Sequence, residues 1–97
     1  MKIKIACFSD THTKHKNIIM TECDISIFGG DCTNQGFKEE TKDFLNWFDL
    51  QVMANFKVMI AGNHEVAWDA EKYDPRLKPT WLLDEFEKHP NIHYLDN

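Results

Sequence analysis

Three short polar stretches hold the residues of this chain best suited to chemistry: Asp10-Thr11-His12, Gly29-Gly30-Asp31 and Gly62-Asn63-His64-Glu65. Carboxylate, imidazole and carboxamide oxygen are hard to borderline donors, the kinds that divalent cations take. In the first stretch the carboxylate and the imidazole stand two residues apart, and an extended backbone throws both to one side, where they can face one ion. Gly30 before Asp31 suits a sharp turn that presents a carboxylate, because glycine adopts backbone angles closed to other residues. Taken singly, each stretch has a plainer explanation: a surface histidine in a loop, or a solvated aspartate in a turn. Taken together, they look like half of a two-metal hydrolytic site.

What must position these residues is a set of strands, since each stretch interrupts the end of an apolar run. The runs are Ile3 to Phe8, Asp24 to Phe28 and Phe56 to Ala61. Short β-branched and aromatic runs of this kind predict buried strands. Ligands in α/β sheets collect beyond the carboxyl ends of such strands, so the three stretches should converge. Between the second and third runs, Thr41, Phe44, Leu45, Phe48 and Val52, with Trp47, recur at three- and four-residue spacing and predict a helix over 38–53. Acidic residues in its first turn suit the helix dipole, and it supplies a right-handed crossover. Pro79 opens a second helix over 80–88 with Trp81, Leu82, Leu83 and Phe86 as its apolar face, and Pro90 closes it. A helical turn within Asp69 to Pro75 and a last strand over 91–95 complete the reading. Residues 9–23 read as a loop with His15 on its surface, while His89 and His93 read as structural. Cys32 is either a soft ligand or reactive thiol, or the small buried residue that a free cysteine usually is.

The chain has 97 residues, 42% apolar and 28% charged. That is one small globular domain with a modest core. A parallel sheet needs more flanking helix than this, so the expectation is a single, truncated domain. The net charge of −5, without a run of Lys or Arg, argues against a phosphate-tracking nucleic-acid surface. An acidic chain that handles phosphoesters needs cations to offset its own field. Cys7, Cys23 and Cys32 are an odd set without CxxC spacing, which points to a reducing compartment rather than a disulfide framework. No stretch approaches a membrane span or a cleavable leader. The expected location is cytoplasmic, without a membrane partner.

The order of strand, Asp-x-His, strand, Gly-Gly-Asp-x-x-x-x-Gly, helix, strand and Gly-Asn-His-Glu resembles the calcineurin-like metallophosphoesterases. Phe8-Ser9-Asp10-Thr11-His12, Gly30 to Gly36, Phe44-Leu45-Asn46-Trp47 and Ile60-Ala61-Gly62-Asn63-His64-Glu65 are especially similar to the small metallophosphoesterase-domain-containing branch. The resemblance covers nearly the whole chain and corresponds to the N-terminal half of the family's catalytic domain. It implies an α/β fold that is one side of a β-sandwich with flanking helices. It implies two divalent cations, manganese, iron or zinc, with Asp10 and His12 on the first, Asp31 bridging, and Asn63 on the second. Such a pair activates water for attack on a phosphoester. By the same resemblance His64 contacts the phosphate and protonates the leaving oxygen, and Asn63 also touches the phosphoryl group. Glu65 is expected either to hold the turn or to make a hydrogen bond that supports the metal ligands. The protein-phosphatase branch has an acidic residue and an arginine after its Gly-Asp, where this chain reads Cys32-Thr33-Asn34-Gln35-Gly36. That favours small phosphodiesters, including cyclic nucleotides, as substrates.

The chain departs from the family in lacking a later histidine and a Gly-His-x-His block. His89-Pro90 and Ile92-His93-Tyr94 have neither the glycine nor the spacing. Asp31 and Asn63 are then all that the second ion receives from this chain, and the second sheet's absence would leave apolar surface exposed. Two further readings therefore stand beside the enzyme: an inactive metal-binding remnant, and half of a split enzyme completed by another chain.

Overall fold

The computed structural model describes residues 2–65, 68 and 80–95. In chain order the elements are β1 (Ile5–Phe8), a 3-10 turn (His15–Asn17), β2 (Cys23–Phe28), α1 (Lys38–Leu50), β3 (Ala54–Met59), α2 (Thr80–Glu87) and β4 (Ile92–Tyr94). The strands form one parallel sheet in the order β1-β2-β3-β4. The α/β class is as the residues predict.

Alternation along each strand decides where the core lies. Phe8, Phe28, Met59 and Tyr94 share one row across the sheet. Phe28 and Met59 are sealed from solvent with Phe44, Leu45 and Phe48 of α1 and Leu82 of α2. The residues between them on each strand face the other way: Ile5, Ile27 and Phe56 are 54%, 38% and 58% exposed. The topology explains this asymmetry. Right-handed crossovers that always step to the next strand in the same direction put the described helices on one face. Among the described residues, no helix covers the opposite face.

One charge points into the covered face. Lys57 is buried, and its ammonium donates to the carbonyl of Asp49 in the last turn of α1, 2.5 Å away, where the helix dipole favours a cation. Burial pulls its pKa down. His89 Nδ1 meets the Asp49 carboxylate at 2.6 Å and ties the chain after α2 to α1, a structural role like the one the sequence suggested.

Several boundaries differ from expectation. β3 begins at Ala54 and ends at Met59, so Ile60 and Ala61 already belong to the loop that carries Asn63. α1 stops at Leu50, and Val52, though buried, packs from beyond the helix. β1 starts at Ile5 rather than Ile3. The main correction concerns His15, which is buried rather than on the surface. The 3-10 turn folds over α1 and sets the imidazole against Phe44 and Trp47, with ring centroids 5.4 and 5.2 Å apart, and Nε2 lies 3.0 Å from Asp43. The helical turn expected within Asp69 to Pro75 lies outside the described residues. No helix among the described residues is long and apolar enough to cross a membrane.

Candidate metal centre

The loops that follow β1 and β2 stay zipped together beyond the sheet. Asp10 N donates to Gly30 O at 2.9 Å, His12 N to Asp31 O at 3.0 Å and Thr13 N to Cys32 O at 2.9 Å. Holding that pairing while the chain turns forces an unusual backbone: Asp10, His12, Thr13 and Asp31 all have positive φ, from 44° to 69°. Each such residue costs on the order of 1 kcal/mol or more, and strain of this kind gathers at functional sites.

The loop after β3 closes against the second. A Cβ on Gly62 would collide with the carboxylate and backbone nitrogen of Asp31, and one on Gly30 would lie 2.7 Å from Gly62 N. Only glycine lets the two backbones approach so closely. Glu65 fastens them. Its carboxylate is buried and accepts from Asp31 N at 2.7 Å, Gly62 N at 2.9 Å, Thr33 Oγ1 at 2.9 Å, and the Cys32 and Thr33 nitrogens at 3.3 Å. A buried carboxylate is tolerable when donors surround it in this way.

Asp31 stands at the centre of what results. It is buried, its Oδ1 accepts from His64 N at 2.9 Å, and the Asn63 carboxamide lies 3.2 and 3.0 Å from its two oxygens. One ligand atom each from His12, Asp31 and His64 lie within 4.8 Å of one another. The His12 and His64 rings meet edge to face with centroids 4.5 Å apart. Asp10 sits at the rim, its Oδ1 3.8 Å from His12 Nε2. The Ser9 hydroxyl, donating to the Asp10 carboxyl, holds it below the usual range, and Asp31 and the two imidazoles act in the same direction. Asp10, His12, Asp31, Asn63 and His64 thus share one edge, beyond the carboxyl ends of β1, β2 and β3.

Other candidates lie elsewhere. His15 packs on α1, His89 binds Asp49, and His93 is exposed on β4. Cys32 is sealed from solvent, and burial pushes its thiol well above the ordinary range. It is a small buried residue, outside the group of ligand atoms that His12, Asp31 and His64 bring together. One contributor had no signature in the sequence, the backbone carbonyl of Asn34, which lies 3.1 Å from His64 Nδ1. Any residue type can supply a carbonyl, so only the loop's path reveals it.

The family model for the calcineurin-like phosphoesterases matches residues 3–97. Similar proteins include metallophosphoesterase domain-containing protein 1 of Homo sapiens, 38% identical over 70% of this chain and 21% of that protein. A UPF0046 protein of Caenorhabditis elegans is 36% identical over 72% of this chain and 24% of that protein. The chain thus spans less than a quarter of the length of either relative. Because the family match runs through all three loops that meet at this edge, the chain belongs to the calcineurin-like phosphoesterases.

Proposed function

We propose that this edge is the catalytic face of a metal-dependent phosphoesterase that hydrolyses small phosphodiesters, cyclic nucleotides among them. Asp10, His12, Asp31 and Asn63 hold two divalent cations, manganese, iron or zinc, and His64 is the general acid. The observation that carries this reading is the meeting of Asn63, His64 and Asp31 at the contact between two loops. The donor set fits such ions, being carboxylate, imidazole and carboxamide. The Asn63 carboxamide bears on the same point. With its nitrogen toward Asp31 it donates to both carboxylate oxygens. With its oxygen turned there instead, the pair repels unless a cation lies between.

Bound divalent cations supply Lewis acidity and make water nucleophilic near neutral pH. The residues of the chain do the rest. The Asn34 carbonyl can only accept, so a His64 hydrogen bond to it uses the Nδ1 proton and leaves Nε2 to exchange a proton with the leaving oxygen. The exposed Asn34 and Gln35 add no positive charge beside His64, which suits the single charge of a diester better than the double charge of a monoester. The bare face of the sheet supports the reading of residues 1–97 as one side of the family's two-sheet sandwich, in a protein working in the cytoplasm. Initial rates against a chromogenic phosphodiester and against cyclic nucleotides, with added Mn²⁺, test the proposal. A chelator should abolish hydrolysis, and His64→Ala should slow it about 100-fold or more. Equal rates for His64→Ala and the parent would remove His64 from the chemistry, and no turnover with manganese, iron or zinc would sink the activity.

A further inference from the structure

We infer that the groove between residues 18–20 and the second half of α1 docks an extended, uncharged segment of another polypeptide, which pairs its backbone with that of residues 19–22 and seats an aliphatic side chain beside Trp47. The inference goes beyond the proposed function and does not rest on it. It begins with the connection between β1 and β2. Parallel strands are usually joined through a helix, but residues 9–22 hold only the 3-10 turn His15–Asn17. Beyond that turn the chain returns to the start of β2 as a strap. The room that a crossover helix takes up in such a unit is left as a groove of about 590 Å³ against α1.

The strap is one wall. Ile18 leaves the 3-10 turn with extended backbone, φ −95° and ψ 132°. Ile18 and Met20 pack against the core while Ile19 between them is 95% exposed, and that alternation is the period of a strand. Yet among the described residues, no backbone hydrogen bond engages residues 19–22. Unpaired N–H and C=O groups along a strand are a template for another strand, and proteins blunt such edges with charges or proline. Residues 17–21 have neither. The other wall is a stripe of α1 and its end, where Trp47 and Leu50 are apolar, Leu50 is 73% exposed, and Asn46 and Gln51 end in carboxamides. The charged residues that line the groove, Lys16 and Asp43, pair with each other at 3.1 Å, which leaves no net charge to select an ion. A neutral peptide matches each part of this lining: its backbone the strap, its amides the carboxamides, and an aliphatic side chain Trp47 and Leu50. In strand addition of this kind main-chain bonds give affinity and alternate side chains give specificity.

Titration of the ¹⁵N-labelled protein with a blocked peptide of alternating threonine and leucine tests this. The backbone amides of residues 19–22, the side-chain amides of Asn46 and Gln51 and the Trp47 indole should shift together. In a paired strand successive residues direct their N–H and C=O groups to opposite edges, so methylating the leucine nitrogens alone, or the threonine nitrogens alone, blocks one edge at a time. One of the two methylated peptides should bind about 10-fold or more weakly, because several hydrogen bonds are lost together, and the other should bind like the parent. Leu50→Lys, at an exposed position, should weaken binding of the parent peptide while circular dichroism stays unchanged. No shift at millimolar peptide, equal affinity for the two methylated peptides, or unchanged affinity in folded Leu50→Lys would each overturn the inference. So would shifts confined to β1 or to Ile5, Ile27 and Phe56 on the uncovered sheet face. Shifts of the same amides on concentrating the protein without peptide would give the groove to a second copy of this chain, and would overturn it too.

Discussion

Glu65 shows how much a single buried group can organise. It touches no candidate cation ligand through a side-chain pair, yet its carboxylate gathers backbone donors from Asp31 to Thr33 and from Gly62, and so joins two loops far apart in sequence. Removing it strands several buried N–H groups at once, and each unsatisfied donor costs about 1–3 kcal/mol. Glu65→Ala is therefore expected to destabilise the fold by about 3 kcal/mol or more, read as a fall in the urea midpoint. Glu65→Gln should fall between, because its oxygen still accepts while its amide group faces N–H donors. An unchanged midpoint for Glu65→Ala would refute this account of the loop contact. At this scale the sequence was legible where residue type limits chemistry: the carboxylates, imidazoles and glycines stand out by kind and spacing. It was not legible where any residue would serve, as with the Asn34 carbonyl, or where burial depends on distant neighbours, as with the sealing of Glu65.

The elements were legible for a related reason. β-Branched and aromatic runs such as Ile25 to Phe28 predict strands, and the recurrence of Phe44, Leu45 and Phe48 predicts a helix, because local periodicity must match the face that is buried. Ends were less legible, since Ile60 and Ala61 look like strand yet lead the chain away toward Asn63. The 3-10 turn carrying His15 was missed because its partners, Asp43, Phe44 and Trp47, lie nearly thirty residues on. Its burial has a consequence for pH. Burial lowers the His15 pKa below the ordinary 6.5, with Asp43 opposing and Lys16 adding a little, and neither ring nitrogen makes an aligned hydrogen bond among the described residues. The unfolded chain therefore binds a proton at this ring at a higher pH than the folded one does. Stability due to this contact is complete above 6.5 and is lost as pH falls through the lower folded value. Urea unfolding at about pH 7.5 and about pH 5.5 should show a smaller acid loss for His15→Leu than for the parent. Identical losses would mean that the turn is not held by a neutral His15.

At the scale of the whole molecule, the sheet is one-sided among the described residues, and its strand order is the reason. A sheet that grows in one direction through right-handed crossovers gathers its helices on one face, so Phe28 and Met59 are sealed while Ile5, Ile27 and Phe56 meet solvent. Composition hinted at this, because four parallel strands served by two described helices cannot be covered on both sides. Which residues would be left out became visible only with the register that lines up Ile5 with Ile25 and Phe56. The same register predicts opposite responses to substitution on the two faces. Phe28→Ala opens a cavity in a packed core and should cost about 3–5 kcal/mol in urea unfolding. Ile27→Thr with Phe56→Thr removes apolar surface that already meets water, so the unfolding free energy should fall by much less. That pair has a second readout. The folded parent should bind a hydrophobic dye such as anilinonaphthalene sulfonate through its contiguous apolar face, and the double variant should lose most of that fluorescence while keeping its circular dichroism. Dye binding that survives the double substitution would place the accessible apolar surface elsewhere. A loss of stability equal to that of Phe28→Ala would mean that the face is packed in solution, and the one-sided account of the sheet would fail.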